Sequence, residues 1–530
     1  MSDGDGVVRS SALISAGVLL SRLTGLVRTV LLISVLGGGG LADVYTFANN
    51  VPNLVYELLA GGVLSAVLLP LFVDLVRRDD RRGTSAVVSV AVGGLAALTV
   101  AGLLAAPALG WAIASLSGGG VDRAEQQAAF VVLLRWFVPQ VFFYGVITVV
   151  TSLLQAKRRF AAAAFAPVVN NVVVIAAYLV VRRVTDLDLT VATLGEVQAE
   201  RWTLLVLGLG TTLGVVANAL VLLPSVGRAR VGFRPTLDWR HPVLGRLAVA
   251  ARGALGYVLV SQVGVTVTSL LANGFKQTGG YASWTYANLV FYVVYGLLVV
   301  SITTAVGPEL AYAAQQDDLA VVRREWVRGL SLIVLLVAPV AAGMAVLAGP
   351  LWEVLPLDQG GVALTAVIFR WFAIGLLPFS VIQHVVRAYY ALSETRPPFR
   401  VAVLQNALVV GAGVVAAPVF GVSGLAAAYA GGYLVTAVVA FSWFAHRLGR
   451  LRRSEVRAVP RMIAAALGMA VVVAASRALL TWGGRTASPV LSIVIGAVVG
   501  VASYVLFLAT LDADGDLWAF VAVARRIVRR

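Results

Sequence analysis

Apolar residues run along this chain in long blocks, not in the alternation of a half-buried strand or the narrow stripe of a soluble helix. One helical crossing of a bilayer needs about 20 mostly apolar residues. Fourteen such blocks can be read, at 11–36, 44–74, 84–116, 127–154, 160–181, 203–223, 247–272, 284–313, 327–349, 362–390, 400–417, 422–445, 459–480 and 488–511. The 400–417 block is short, and those at 44–74 and 84–116 are long. The pattern predicts an all-α polytopic membrane protein with 14 transmembrane helices.

Composition strengthens that picture. Of 530 residues, 60% are hydrophobic and 12% charged, with a mean hydropathy of +0.91. A soluble domain buries a fraction of its surface that rises only slowly with size, so this much apolar surface calls for lipid as solvent. The first block reads as a retained span. Its tail "MSDGDGVVRS" is acid-bearing, arginines interrupt its apolar core, and no small-residue cleavage site follows. Cysteine is absent, which excludes disulfides, thiolate chemistry and Cys-ligated metals. His241, His384 and His446 lie far apart, so neither a metal site nor a cofactor is expected.

Charge then supplies an orientation. Of the 41 Lys and Arg residues, 28 fall at the termini or in or beside loops after even-numbered blocks, seven in or beside the odd loops and six deeper within the blocks. This positive-inside asymmetry places both termini in the cytoplasm of a plasma-membrane protein. It also assigns the net charge of +16 to topology and anionic headgroups, with no nucleic-acid partner.

The chain repeats itself. "RWF" at 135–137 returns at 370–372, and Asn171 matches Asn406 at the same offset of 235. "TFAN" (46–49) answers "TYAN" (285–288). Pro70 precedes Asp79-Asp80 as Pro308 precedes Asp317-Asp318. Two six-span units are therefore expected, entering the membrane from the same side and related as a parallel repeat around a central cavity. Residues 1–240 form the first lobe, 241–455 the second, and 456–530 two additional spans with a tail.

Ionisable residues within the blocks are few. Arg252 and Arg387 lie near a cytoplasmic end and can snorkel. Arg135 and Arg370 each precede a tryptophan, so they read either as interfacial belt residues or as a pair facing the cavity from equivalent places. His384 reads as a satisfied packing histidine or as a proton relay. Arg22, Arg28 and Glu57 are mid-span by count, where each arginine costs roughly 2.5–3.5 kcal/mol on insertion scales. Ser21, Gly25 and Arg28 follow i, i+4, i+7 spacing, a small-residue stripe that leaves the guanidinium room to reach a cavity. A structural Arg–Glu pair between the first two spans is one reading. The other is anion binding, because a guanidinium forks onto phosphate oxygens through bidentate, charge-assisted bonds.

These segments resemble a known family. "SRLTGLVRTVLL", then "GGGGLADVYTFANNVPNLVYELLAGGVLSAVLLPLF", is similar to the opening signature of the MurJ/MviN lipid II flippases. "FAPVVNN" (165–171), "GLLVVSITTAVGPELA" (296–311) and "YYALSETRPPFRV" (389–401) fit later family positions. The strong preference for Arg, 39 against 2 Lys, suits a GC-rich genome and a divergent, actinobacterial-type member. The resemblance implies a flippase, not an enzyme, that moves an undecaprenyl-pyrophosphate-linked peptidoglycan precursor to the outer leaflet by alternating access. It implies a cationic cavity for the headgroup and a groove at the last two spans for the lipid tail. On signature positions stand Arg22, Arg28, Asp43, Pro52 and Asn53, and Glu57 falls beside them; Arg135, Arg252, Asn288 and Arg370 are secondary cavity candidates. Implied partners are the lipid-linked glycan, membrane lipids and proteins of peptidoglycan synthesis, with the flippase itself a monomer.

The chain also departs from the pattern. A basic residue usual after Pro-Asn is replaced by Tyr56-Glu57, and the family's Asp-Arg after Tyr-Ala by Asn288-Leu289. Val410 stands where a sodium site would need a carboxylate one turn after Asn406. Two alternatives follow, another polyisoprenyl-linked glycan as cargo or a transport-inactive scaffold for cell-wall assembly. A glycosyltransferase would need acidic catalytic residues in a sizeable outer loop, and the largest, 182–202, has no paired-carboxylate motif beside a span.

Overall fold

The structure is a computed structural model that describes residues 3–58, 65–116, 123–157, 159–229, 235–236, 238, 241–273, 278–316, 318–392, 394, 396–449, 451, 453–481 and 487–511. Among these residues every regular element is a helix, and eleven helices are long and apolar enough to cross a membrane. All fourteen apolar blocks map onto helical segments, apart from 59–64 in the second block, which lies outside the described residues. Seven side chains of the first helix, from Val18 to Val30, are 40% exposed or more although all are Val or Leu. Such a face is at home in hydrocarbon and not in water.

The chain divides into two compact units, Met1–Ala282 and Ser283–Arg530. The first contains α1 (Asp3–Leu36), α2 (Gly40–Leu58), α3 (Ser65–Arg77), α4 (Arg81–Leu116), α5 (Arg123–Phe137), α6 (Pro139–Ala156), α7 (Ala161–Val184), α8 (Leu194–Ala199), α9 (Arg201–Arg228) and α10 (Pro242–Asn273). Gly37 ends α1 at a φ of +62°, a backbone state that costs glycine nothing, with its amide bonded to the Ile33 carbonyl. Pro139 occupies the first helical position of α6, where its missing N–H costs no bond. Thr193 and Glu196 close a capping box on the short α8.

Two apolar clusters hold this unit. Leu68, Phe72 and Leu75 of α3 meet Val87 of α4, Val149 and Leu153 of α6 and Val243 of α10. Ile147 and Leu154, on other faces of α6, meet Ala166 of α7 and Val215, Ala219 and Leu222 of α9. Helix α6 is thus the shared wall of both clusters.

The second unit takes in most of α11 (Gly280–Tyr295), a π-helical turn at Gly296–Val300, α12 (Ser301–Gln315), α13 (Leu319–Val346), α14 (Ala348–Glu353), α15 (Gln359–Ala391), α16 (Arg396–Arg447), α17 (Arg453–Val456), α18 (Ala458–Leu480) and α19 (Pro489–Leu511). The blocks 400–417 and 422–445 are the two arms of α16, broken at Gly421 (φ 63°, ψ −150°), a conformation open to glycine. Aromatic rings fill this unit: Phe291 meets Phe372 and Phe379, and Trp326 meets Phe441 and Phe444. Arg477 of α18 donates to the Val346 carbonyl at the end of α13 (2.7 Å), and the Tyr504 hydroxyl of α19 donates to the Leu335 carbonyl (2.9 Å). Both bonds satisfy polar groups where water is scarce.

The repeated aspartate pair has a structural cause. Asp80 Oδ1 accepts the Gly83 amide (2.7 Å) at the start of α4, and Asp318 Oδ1 accepts the Ala320 and Val321 amides (3.1 and 3.0 Å) at the start of α13. The second aspartate of each pair caps a helix whose first amides have no partner of their own. Asp317 lies outside the described residues.

Candidate functional site

The stripe of small residues on α1 faces α7. Asn171 of α7 donates from Nδ2 to the Ser21 carbonyl and to Thr24 Oγ1, both at 3.0 Å. A Cβ at Gly25 would stand 3.6 Å from the same Nδ2. The groove left by Ser21 and Gly25 therefore receives the asparagine, and Arg28 lies one turn beyond that contact.

Arg28 and Arg22 part company here. Six residues of α-helix turn through about 600°, which leaves the two side chains some 120° apart around the axis. Arg22 is exposed and Arg28 is half-buried. Among the described residues no hydrogen bond or ion pair holds either one. The charge of Arg28 nonetheless acts on Tyr45 of α2 and Tyr144 of α6, and no carboxylate of the described residues pairs with it.

Tyr45 belongs to a buried hydroxyl chain. Thr211 Oγ1 of α9 donates to the Leu207 carbonyl (2.7 Å) and so accepts the Tyr45 hydroxyl (2.6 Å). Tyr45 in turn accepts from Tyr178 of α7 (3.0 Å). The Tyr45 ring stands edge-on to Phe137, and Tyr144 packs against Tyr56 with ring centroids 4.6 Å apart. The bonded hydroxyls of Tyr45, Tyr178 and Thr211 tie α2, α7 and α9 to one another. Attention to ionisable residues alone passed over these groups. Their signal was present as Tyr144 and Thr211-Thr212 within otherwise apolar stretches.

Asp43 has a different setting. Its carboxylate accepts the amides of Gly279 (2.6 Å) and Ala282 (2.7 Å), and the side chain is 8% exposed. Both oxygens serve the otherwise unpaired amides where α11 begins. Asn53 donates back to the Asn49 carbonyl in its own helix (3.0 Å). The Glu57 and Arg252 side chains lie outside the described residues.

In the second unit, Arg370 is exposed on α15 and Asn288 is half-buried on α11; Arg135 of the first unit is exposed in the last turn of α5. The faces of α11 and α15 meet through Trp284 and Phe372 (4.8 Å), with Asn288 one turn past that tryptophan. His384 is enclosed: its ring stacks on Trp326 at 5.6 Å and Nε2 lies 2.9 Å from the Trp326 carbonyl. It is a satisfied packing histidine. The structure thus gathers Arg28, Tyr45, Tyr56, Tyr144 and Asn171 in the first unit. It assigns Asp43 to a helix start and leaves Arg22, Arg135 and Arg370 as exposed cations. Such an arrangement suits an anion, because a half-buried guanidinium without a counter-charge among the described residues offers its donors to whatever acidic group approaches.

Residues 32–489 match the family described as lipid II flippase MurJ. A probable lipid II flippase MurJ of Vibrio cholerae is 27% identical over 447 residues, covering 80% of each chain. The lipid II flippase MurJ of Burkholderia cenocepacia is 26% identical and covers 97% of this chain and 98% of its own. Among solved structures, a lipid II flippase MurJ in an inward closed conformation superposes with a TM-score of 0.76 at 18% identity, covering 95% of this chain and 99% of that one. The last likeness concerns the fold.

Proposed function

Because the chain belongs to the lipid II flippase MurJ family, we propose that it carries lipid II between the leaflets of the plasma membrane and that Arg28 meets the pyrophosphate. The observation that carries the assignment of Arg28 is its position: half-buried beside Tyr45 and Tyr144, with no carboxylate against it among the described residues. A phosphate oxygen pair accepts the planar fork of a guanidinium, and no described partner competes for its donors. Translocation needs no bond to break, so the residues act by binding and release alone.

The full architecture in this reading has fourteen spans. It adds to the eleven long apolar helices the pair α2–α3, helix α10 and the second arm of α16. Segments 1–240 and 241–455 are two parallel repeats, 456–530 supplies the extra spans, and both termini are cytoplasmic. As headgroup contacts the reading takes Arg22, Asn53 and Arg135 in the first unit and Asn288 and Arg370 in the second, with Glu57 and Arg252 as candidates by sequence position. Support comes from the repeat offsets and the basic loops.

The test is Arg28→Ala in vesicles carrying fluorescent lipid II. Loss of one charge-assisted contact of about 1.5–3 kcal/mol slows flipping roughly 10- to 100-fold while membrane insertion is unchanged. Flipping at the wild-type rate removes Arg28 from the pathway. Complementation of a strain depleted of its own flippase separates lipid II from other lipid-linked glycans.

A further inference from the structure

A cavity of about 960 Å³ lies within the first unit, between α4, α6 and α9. It sits at the upper end of the size range of ligand pockets, about 300–1,000 Å³. Its walls include Val88 and Val92 of α4, Val149 and Leu153 of α6, and Leu223 and Val226 of α9. Several of these also belong to or flank the two apolar clusters. Among the described lining residues only Ser89 and Thr236 carry a polar side-chain atom, and Ser89 Oγ already accepts the Thr236 amide (3.0 Å). A soluble ligand would find almost nothing to bond to there.

The site is built, not left over. Pro235 and Thr236 contribute to its wall from the connector before α10, and two further contacts tie that connector down. Arg82 Nε meets Asp238 Oδ2 at 3.1 Å, and His241 Nε2 lies 3.9 Å from Asp80 Oδ2. The cavity occupies the ends of all three helices that carry basic residues. Lys157 follows Leu153 by one turn of α6, Arg159 lies just beyond, and Arg228 is in the last turn of α9. None of these three cations has an ion pair among the described residues, whereas Arg82 is committed to Asp238.

We propose that this cavity binds a hydrocarbon chain of an anionic bilayer phospholipid, whose headgroup rests against Lys157, Arg159 and Arg228. The apolar walls take the chain by burial alone. The cations meet the phosphate, each worth about fivefold in affinity near an anionic surface. Leu223, 47% exposed, marks the side on which the chain enters from the surrounding lipid.

The experiment uses the full chain in phosphatidylcholine vesicles doped with phosphatidylglycerol bearing a photoreactive group in its acyl chain. After illumination, adducts are mapped by peptide mass spectrometry. Adducts are expected on 88–93 and 146–153 in clear excess over the lipid-exposed face of α1, and excess unlabelled phosphatidylglycerol removes that excess. Val150→Trp fills the cavity and lowers these adducts about tenfold, with the α1 adducts unchanged. Leu223→Trp does the same from the exposed side and keeps the test decisive if Val150→Trp fails to fold. Replacing Lys157, Arg159 and Arg228 together by glutamine retains labelling but abolishes the preference for phosphatidylglycerol over phosphatidylcholine. Adducts no denser than on α1, or unaltered in a folded tryptophan variant, overturn the site. Competition by undecaprenyl phosphate as effective as by phosphatidylglycerol overturns the assignment to a phospholipid. A preference that survives the triple substitution overturns the headgroup contact.

Discussion

Arg28 and His384 are both ionisable side chains inside apolar helices, one in each unit, and their surroundings differ in kind. His384 is 2% exposed, stacks on Trp326 and has its Nε2 on the Trp326 carbonyl. Helix α13 has a glycine opposite it, Gly329, where a Cβ would lie 2.6 Å from the imidazole Cε1. Arg28 is half-buried and is not held by any hydrogen bond or ion pair among the described residues. A polar group whose needs are met within its own helix packing belongs to the core. One whose needs are left open belongs to a ligand.

That contrast breaks most sharply at Arg28. Arg28→Lys keeps the charge and loses the planar fork, so flipping should fall by roughly threefold, between wild type and Arg28→Ala. The thermal midpoint of the purified protein should stay within about 2 °C, because a half-buried cation without a partner contributes little to the fold. If lysine restores full transport, simple charge suffices and the fork is not what the site uses.

At His384 the two effects should reverse. His384→Ala removes a buried ring between Trp326 and Gly329 and is expected to destabilise the protein by about 2–4 kcal/mol. Flipping per folded molecule should be unchanged. Gly329→Val tests the same packing from the other side. Transport loss without loss of stability in either variant would return the histidine to a proton-carrying role.

A smaller difference separates the two repeat asparagines. Asn171 spends its amide on a second helix, donating to Ser21 and Thr24 of α1, while Asn406 donates to Ala402 one turn back in its own helix (2.9 Å). Hydrogen bonds between membrane helices average about 0.6 kcal/mol each, with a maximum near 1.7. Asn171→Ala should therefore cost about 1–2 kcal/mol in a denaturation series, and Asn406→Ala less than about 0.5 kcal/mol. Equal costs would mean that the repeat conserves the same contact in both units after all.

Much of this was legible in the chain. Continuous apolar blocks read as helices and are helices, and the recurring offsets of Asn171 and the aspartate pairs are a pattern in the sequence itself. The caps at Asp80 and Asp318 explain why the aspartates recur, since their bonds reach only two or three residues ahead. The stripe of Ser21, Gly25 and Arg28 was also readable, although the room it leaves goes to Asn171 and not to the guanidinium. Asp43 was beyond reach, because its amide partners at 279 and 282 lie more than 230 residues away. The same holds for Tyr45, whose partners Tyr178 and Thr211 come from α7 and α9. Local spacing encodes caps and faces; which distant groups meet on those faces is decided by packing.

The weakest expected effect contrasts the solvated loop at 185–203 with these buried groups. Glu200 accepts the Thr185 hydroxyl and the Thr203 hydroxyl (2.5 Å), which hold its carboxyl below the usual range. Glu196 is lowered by the Thr193 amide and hydroxyl, and Asp188 by the hydroxyl and amide of Thr190. A depressed folded-state value means that these bonds stabilise the loop above the unfolded carboxylate range, about 3.9–4.3, and lose their effect as pH falls through the folded values. Hydrogen exchange of the 185–203 amides should be steady, after correction for intrinsic rates, from pH 7 to about 5, and protection should drop below about pH 4. Thr203→Val removes one hydroxyl from Glu200, so its carboxyl rises toward the ordinary value and the drop begins at higher pH. An unchanged onset would show that the loop is held by its apolar contacts, and that its acids resemble Arg28 less than their charge suggests.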